Sequence, residues 1–298
     1  MHVYPSLRGR VVLVTGAGRG FGRLMSVALA EQGAQVLGTS ARNRDELDAT
    51  AAAVDAAAAA AGRGGRFVGT LADVSSEADC AATAALALRE FGRIDALVNN
   101  AARGPMEANP NYFAEKPKFW SAPPDAWRRM IETNLIGVFL MTRAVVPGMV
   151  ERGFGRIINI STSHPTMVMQ GLAAYGAAKA GVEAATVMWA KDLAGTGVTA
   201  NVLLPGGPAD TALVPGGGAG KLAPADYRAG KGPTGDEGRI GGILPAEVIV
   251  PPTLWLCADE SSAFNGRRIV GKDWDPEVAP EVAVAKAMQP QGAAPRIM

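Results

Sequence analysis

Cysteine, histidine and net charge are all scarce in this chain, and each shortage closes off a class of function. Its 298 residues hold two cysteines and two histidines, and 29 basic residues nearly cancel 28 acidic ones to leave a net charge of +1. Cys80 and Cys257 are too few and too far apart for a disulfide framework or a thiolate zinc cluster, so a reducing, cytoplasmic setting is expected. His2 and His164 lie far apart and suggest no metal site, so no metal is expected. No basic block stands out, which argues against a nucleic-acid partner. An unbroken apolar run long enough to span a bilayer is missing, and MHVYPSLRGR at the start has no apolar stretch of the signal-peptide kind.

What the chain does have is 48% hydrophobic residues, ample for a packed core, and 37 glycines, many of them at junctions between apolar runs and helical patterns. Short β-branched runs read as strands at Val11–Thr15, Ala34–Thr39, Arg66–Leu71, Ile94–Asn99, Arg156–Ser161, Val198–Leu204 and Arg267–Gly271. Helical patterns fall between them at about 20–32, 43–61, 75–91, 125–151, 174–195 and 246–258. Strand–helix alternation of this kind predicts one α/β, doubly wound Rossmann-type domain with a parallel sheet of about seven strands. Ligands of such a sheet bind beyond the carboxyl ends of its strands. The catalytic domain is expected over 1–274, with 275–298 as a C-terminal tail and with substrate loops at 103–124 and 205–244. The alanine-rich stretch 49–61 reads as an exposed helix of high propensity.

TGAGRGFG, Thr15–Gly22, closes the first strand and opens the first helix. Gly16, Gly20 and Gly22 permit a tight turn and let the backbone approach a pyrophosphate, while the helix N-terminus supplies free N–H groups to an anion. Their spacing differs from the general G-x-G-x-x-G fingerprint. YGAAK, Tyr175–Lys179, places a phenol and an ammonium one turn apart on a single helix face. A free tyrosine titrates near 10, and an adjacent ammonium would favour its phenolate.

In these motifs the chain resembles the short-chain dehydrogenase/reductase family in its single-domain form, from about Arg10 to Gly271. The resemblance implies that Thr15, Gly16, Arg19, Gly20, Phe21 and Gly22 form the cofactor loop. It further implies that Asp73 and Val74 border the adenine, and that Asn100 and Ala101 in NNAA belong to the turn after strand four. Ala102 there departs from the family's glycine. Tyr175 and Lys179 are implied as catalytic and cofactor-binding together, Asn134 as holder of a proton-relay water, and Pro205 and Gly206 as the turn against the nicotinamide. Counting back from Tyr175 by the family's spacing gives Thr162 where the family carries serine. Two readings stay open: Thr162 binds the substrate oxygen, which is preferred, or a one-residue shift brings in Ser163. Ser161 should face the other way, since side chains alternate along a strand.

The end of strand two, GTSARNR (Gly38–Arg44), has no acid before Asp45 and offers Thr39, Ser40, Arg42 and Arg44, with Arg19 in the glycine loop. Arginine suits a ribose 2′-phosphate, so NADP(H) is favoured, with NAD possible. The expected function is hydride transfer between NADP(H) and a small ketone or secondary alcohol. The alternatives are the NAD-dependent version and a dinucleotide-binding regulator without turnover; an epimerase or dehydratase would want a longer substrate domain. Ile136, Val138, Phe139, Val182, Val187, Met188 and Trp189 make two helices apolar on more than one side, which points to a homodimer or homotetramer. Phe119, Trp120, Met167, Met169 and Leu213 are expected as apolar walls of the substrate site.

Overall fold

The structure, a computed structural model, describes residues 2–109, 112–211, 213 and 243–289. Seven parallel strands form one sheet: β1 (Val11–Val14), β2 (Gln35–Ser40), β3 (Arg66–Leu71), β4 (Ala96–Asn99), β5 (Gly155–Ile160), β6 (Val198–Leu204) and β7 (Arg268–Val270). Their order is β3-β2-β1-β4-β5-β6-β7, so the winding reverses between β1 and β4. Val14 is level with Gly38 of β2 on one side and with Val98 of β4 on the other. At that reversal the connections diverge to opposite faces and leave a crevice at the strand ends.

Helices α1 (Gly20–Glu31), α2 (Arg44–Ala61) and α3 (Glu77–Phe91) follow the first three strands. After β4 come the short α4 (Tyr112–Glu115), then α5 (Pro124–Ile131), a π-turn at Glu132–Ile136 and α6 (Gly137–Glu151). After β5 come the one-turn α7 (His164–Met167) and α8 (Ala173–Asp192), and after β6 come α9 (Val250–Cys257) and, past β7, α10 (Pro280–Ala287). Every residue of β1, β4, β5 and β6 is buried, as expected of a sheet covered on both faces. One apolar layer joins Val12, Val14 and Ile158 to Leu29, Leu254 and Trp255; the other joins Leu13, Leu97 and Ile157 to Met141, Val145 and Met149.

Three features refine the expectations. The alanine-rich helix α2 is not wholly exposed: Leu47, Thr50, Val54 and Ala58 form a buried stripe at helical spacing, and Asn43 caps its start by accepting from the Glu46 N–H. The stretch after 274 contributes α10 to the central core, where Ala283, Val284 and Ala287 are buried with the strands. Met288 then bridges Ile269 of β7, and the Gln289 N–H donates to the Arg268 carbonyl. The helical run Pro124–Glu151 is long and apolar enough to cross a membrane by length and composition alone, and 44% of its most apolar window is buried inside the fold.

A polar ladder crosses the centre of this apolar interior. The Asn99 amide donates to Thr142 Oγ1 (2.9 Å) and to Asn159 Oδ1 (2.8 Å), and the Asn159 amide donates to Thr186 Oγ1 (2.8 Å). These buried donors are all satisfied, and the bonds fix α6, β4, β5 and α8 in mutual register. Most of the loop expected at 205–244 lies outside the described residues.

Candidate active site

A cleft of about 690 Å³ opens beyond the carboxyl ends of the strands. Gly16, Gly20 and Phe21 form its floor beside β1, Asn100 and Ala101 its centre, and Thr162, Tyr175 and Lys179 its far side. The glycine loop is locked to the turn after β4. The Thr15 hydroxyl accepts from the Asn100 and Ala101 N–H groups (both 3.0 Å), and the Asn100 amide donates to the Thr15 carbonyl at 2.8 Å. Gly22 does not line the cleft; it packs so closely that a side chain there would meet the Gly16 carbonyl at 2.0 Å. Gly16 itself adopts φ +67°, and a side chain there would lie 2.9 Å from Ala101 Cα. Both glycines are therefore required by close approach of backbone to backbone.

A dinucleotide fits this cradle. Arg19 stands at the N-cap of α1 without any side-chain cap, and the first turn carries no acid, so its N–H groups remain available to a phosphate. Asp73 and Val74 border the region past β3, and Asp73 Oδ1 accepts from the Ser75 N–H and hydroxyl at 3.0 and 2.6 Å. Burial works against its charge, but these bonds and the nearby Arg103 and Arg42 hold the carboxyl below its ordinary value. Arg42 lines the cleft with Thr39 and Ser40, whereas Arg44 turns away to donate to the Gly69 carbonyl at 3.0 Å. Pro205 lines the cleft, but Gly206 backs onto Lys272 and Val270 at φ +100°, and Gly207 takes the lining position instead.

The catalytic candidates sort by geometry. Tyr175 and Thr162 both line the cleft, and the Thr162 hydroxyl stands near enough to the phenol to favour its phenolate. Ser163 instead caps α7, accepting from the Thr166 N–H at 3.4 Å with its hydroxyl 2.8 Å from Thr166 Oγ1, and it does not line the cleft. The Ser161 hydroxyl donates to Glu183 Oε1 at 2.7 Å. Asn134 sits in the π-turn with its side chain already engaged: Oδ1 accepts from the Arg103 N–H (2.8 Å) and the amide donates to the Arg103 carbonyl (2.9 Å). Its amide thus ties the π-turn to the loop after β4 and does not reach the cleft.

Lys179 is 2% exposed and donates to the Ile160 carbonyl at 2.6 Å. Burial lowers its pKa from 10.5 to about 8, with the Glu183 charge opposing the fall. Tyr175 moves the other way, up to about 12, because burial dominates, the Tyr112 phenol adds to the rise and the Thr162 hydroxyl only partly offsets it. Proximity to Lys179, 5.9 Å from the ring centroid, therefore does not depress the phenol below its free value; desolvation wins.

Sequence reasoning missed several lining residues. Tyr112 is buried against the site, and Arg103 donates through Nε to Thr133 Oγ1 (3.0 Å) and through Nη1 to Glu107 (2.9 Å). Glu46 faces Arg19 across 3.4 Å. Each reaches the cleft from a loop or helix turn that carries no motif. Among the expected apolar walls, Met169 and Leu213 line the cleft. Met167 is buried behind it, and Phe119 and Trp120 are 67% and 72% exposed, packed edge-on against each other. Phe119 borders a smaller hollow of about 100 Å³ that also reaches Tyr175.

The short chain dehydrogenase family profile matches residues 10–216. The chain is 31% identical over 264 residues to the 3-oxoacyl-[acyl-carrier-protein] reductase FabG of Salmonella typhimurium, covering 89% of this chain and 96% of that one. Among solved structures it resembles a metagenomic short-chain oxidoreductase in complex with NADP (33% identity, TM-score 0.59, 67% of this chain and 84% of that one). It also resembles an NAD⁺-bound xylitol dehydrogenase (26% identity, TM-score 0.68, 88% of this chain and 97% of that one). The chain belongs to the short-chain dehydrogenase/reductase family. It is an NAD(P)-dependent oxidoreductase acting on CH–OH and C=O groups of small molecules.

The buried lysine has a measurable consequence for stability. Its folded pKa, about 8, lies below its ordinary 10.5, so between those values the unfolded chain binds the extra proton and stability rises with pH. The stability of the parent relative to Lys179→Met, read by chemical denaturation, should therefore increase from pH 8 to 10.5. A difference that stays flat across that window would contradict the burial of a titrating ammonium.

Proposed function

We propose that the enzyme uses NADP(H) and interconverts a small ketone with its secondary alcohol. The observation that carries this is the Tyr175–Thr162 hydroxyl pair, facing the same cleft as the glycine cradle and backed by Lys179. When bound, the nicotinamide supplies hydride in reduction and receives it in oxidation. Thr162 and Tyr175 hold the carbonyl oxygen between two hydroxyl donors. As hydride adds to the carbonyl carbon, the C=O electron pair moves onto oxygen, which takes the Tyr175 proton and becomes the alcohol. Burial, which pushes the phenol up to about 12, keeps the proton on Tyr175 at neutral pH, so it is in place before the hydride adds. Lys179 keeps a positive charge beneath the phenolate left behind, and its Ile160 bond fixes where that charge sits.

The phosphate preference rests on Arg42 and Arg19, which face the cleft at the end of β2 and in the glycine loop. Arginine offers a 2′-phosphate charge-assisted hydrogen bonds. Support for the competing NAD reading is Glu46, a carboxylate on the same wall paired with Arg19. The names of the relatives, a 3-oxoacyl-[acyl-carrier-protein] reductase and a xylitol dehydrogenase, favour carbonyl and alcohol substrates in general. Assembly into a homodimer or homotetramer is supported by Ile136, Phe139 and Met188, which stand 42%, 45% and 57% exposed on the helices flanking β5.

Three measurements test this reading. Tyr175→Phe should leave NADPH affinity near the parent's and reduce kcat by about two orders of magnitude, the usual size of an acid–base contribution; turnover that survives would remove Tyr175 from the chemistry. Arg42→Asp should swing the ratio of kcat/KM for NADPH over NADH toward NADH, and a parent that already prefers NADH would sink the phosphate argument. Light scattering at micromolar concentration should give a mass at least twice 30.6 kDa; a monomer alone would end the assembly proposal.

A further inference from the structure

Three consecutive residues lead from β5 into the cleft, and each is held by a different buried charge. The Ile160 carbonyl accepts from Lys179 Nζ at 2.6 Å. The Ser161 hydroxyl donates to Glu183 Oε1 at 2.7 Å. The Thr162 carbonyl accepts from Arg268 Nη2 at 3.0 Å. Glu183 lies on α8 eight residues after Tyr175, so Tyr175, Lys179 and Glu183 run along one side of that helix. Arg268 comes from β7, on the far edge of the sheet, and its Nε reaches both Glu183 oxygens at 3.1 Å. Both members of the pair are nearly excluded from solvent, with side chains 3% and 10% exposed. Arg268 Nη1 is in turn steadied by Gln289, at 3.4 Å, in the segment after α10.

An ion pair this deep is a poor source of stability, because desolvation offsets much of its attraction. What it fixes is geometry. The planar guanidinium forks between one carboxylate and one peptide carbonyl, so it sets the orientation of the Thr162 peptide relative to α8. Glu183 meanwhile occupies the Ser161 hydroxyl, which leaves Thr162 as the hydroxyl of β5's end turned toward Tyr175. We infer that Glu183 and Arg268 are positioning residues for carbonyl reduction, holding the Ser161–Thr162 segment so that the Thr162 hydroxyl meets the substrate oxygen beside Tyr175. This inference rests on the roles proposed above for Thr162 and Tyr175. Neither residue lines the cleft; Arg268 holds the Thr162 carbonyl directly, and Glu183 acts through Arg268 and Ser161 as well as on the Lys179 charge.

The test uses the full-length chain with NADPH and whichever member of a panel of simple ketones and β-keto esters the parent reduces fastest. Arg268→Met, Arg268→Lys and Glu183→Gln are compared with Thr162→Val. Arg268→Met should lower kcat about 10–100-fold, the size of effect that a misplacement of about 1 Å produces, with the Kd for NADPH changed less than about threefold. Arg268→Lys, which keeps one donor and the charge, should recover part of that loss. In a Thr162→Val background Arg268→Met should cost little more, because the hydroxyl it positions is already gone. Parent-like kcat in folded Arg268→Met would overturn the inference. So would losses that add fully to those of Thr162→Val, or that track a parallel fall in NADPH affinity and Tm. Should Arg268→Met fail to fold, Arg268→Lys is judged by the same criteria, and Glu183→Gln, which also alters the Lys179 charge, is read only against its double variant with Thr162→Val. Failure of the underlying reading shows separately, as a Tyr175→Phe variant that still turns over or a parent that reduces no member of the panel.

Discussion

A lysine ammonium enclosed by protein must be compensated locally, and much of this active site is arranged around that requirement. Lys179 is almost wholly enclosed at the edge of the cleft, so its charge depends largely on the Ile160 carbonyl and on the Glu183 carboxylate one turn further along α8. Glu183 cannot be left unbalanced either, and Arg268 and the Ser161 hydroxyl satisfy it. The chain of compensation ends at the Thr162 carbonyl, in the residue whose hydroxyl lines the cleft beside Tyr175. Solvation of one buried charge thus fixes the end of β5, the face of α8 and the start of β7 together.

The same enclosure acts in opposite directions on Tyr175 and Lys179. Burial pushes the Tyr175 phenol up and the Lys179 ammonium down, each toward its neutral form. In this state the phenol keeps its proton at neutral pH. The cofactor side is built on a different constraint, that of backbone against backbone. Gly16 and Gly22 let the loop after β1 fold back on itself and on the turn after β4, and the Thr15 and Asn100 bonds close that contact. Parallel strand order brings the two halves to one crevice, because β1 and β4 are neighbours at the point where the winding reverses.

How far this was legible from residues alone varies by element. The seven strands and their helices were readable because period and punctuation are local: four apolar residues closed by Thr-Gly, or Asn43 before a run of helix formers. The choice between Thr162 and Ser163 was not, since adjacent hydroxyls look alike in one dimension. What separates the two is tertiary: Ser163 caps the first turn of α7, whereas Thr162 lines the cleft. Asn134 was legible as unusual within a helix, but its partner, the Arg103 backbone, lies 31 residues away. Gly206 reads as part of a cofactor turn, and only the return of the last strand shows that a side chain there would run into Val270 and Lys272.

Local periodicity, glycine spacing and the Tyr175–Lys179 interval were enough to specify a doubly wound sheet, its phosphate loop and the helix bearing the phenol. These follow from steric limits on single turns and strands, which a short stretch of residues already imposes. Tertiary structure alone decided that Arg268, Glu183 and Thr162 form one unit, that Tyr112, Arg103 and Glu46 border the cleft, and that α10 closes the core. Those relations depend on desolvation and on contacts between segments far apart in the chain. Neither exists until the sheet has assembled and brought those segments together.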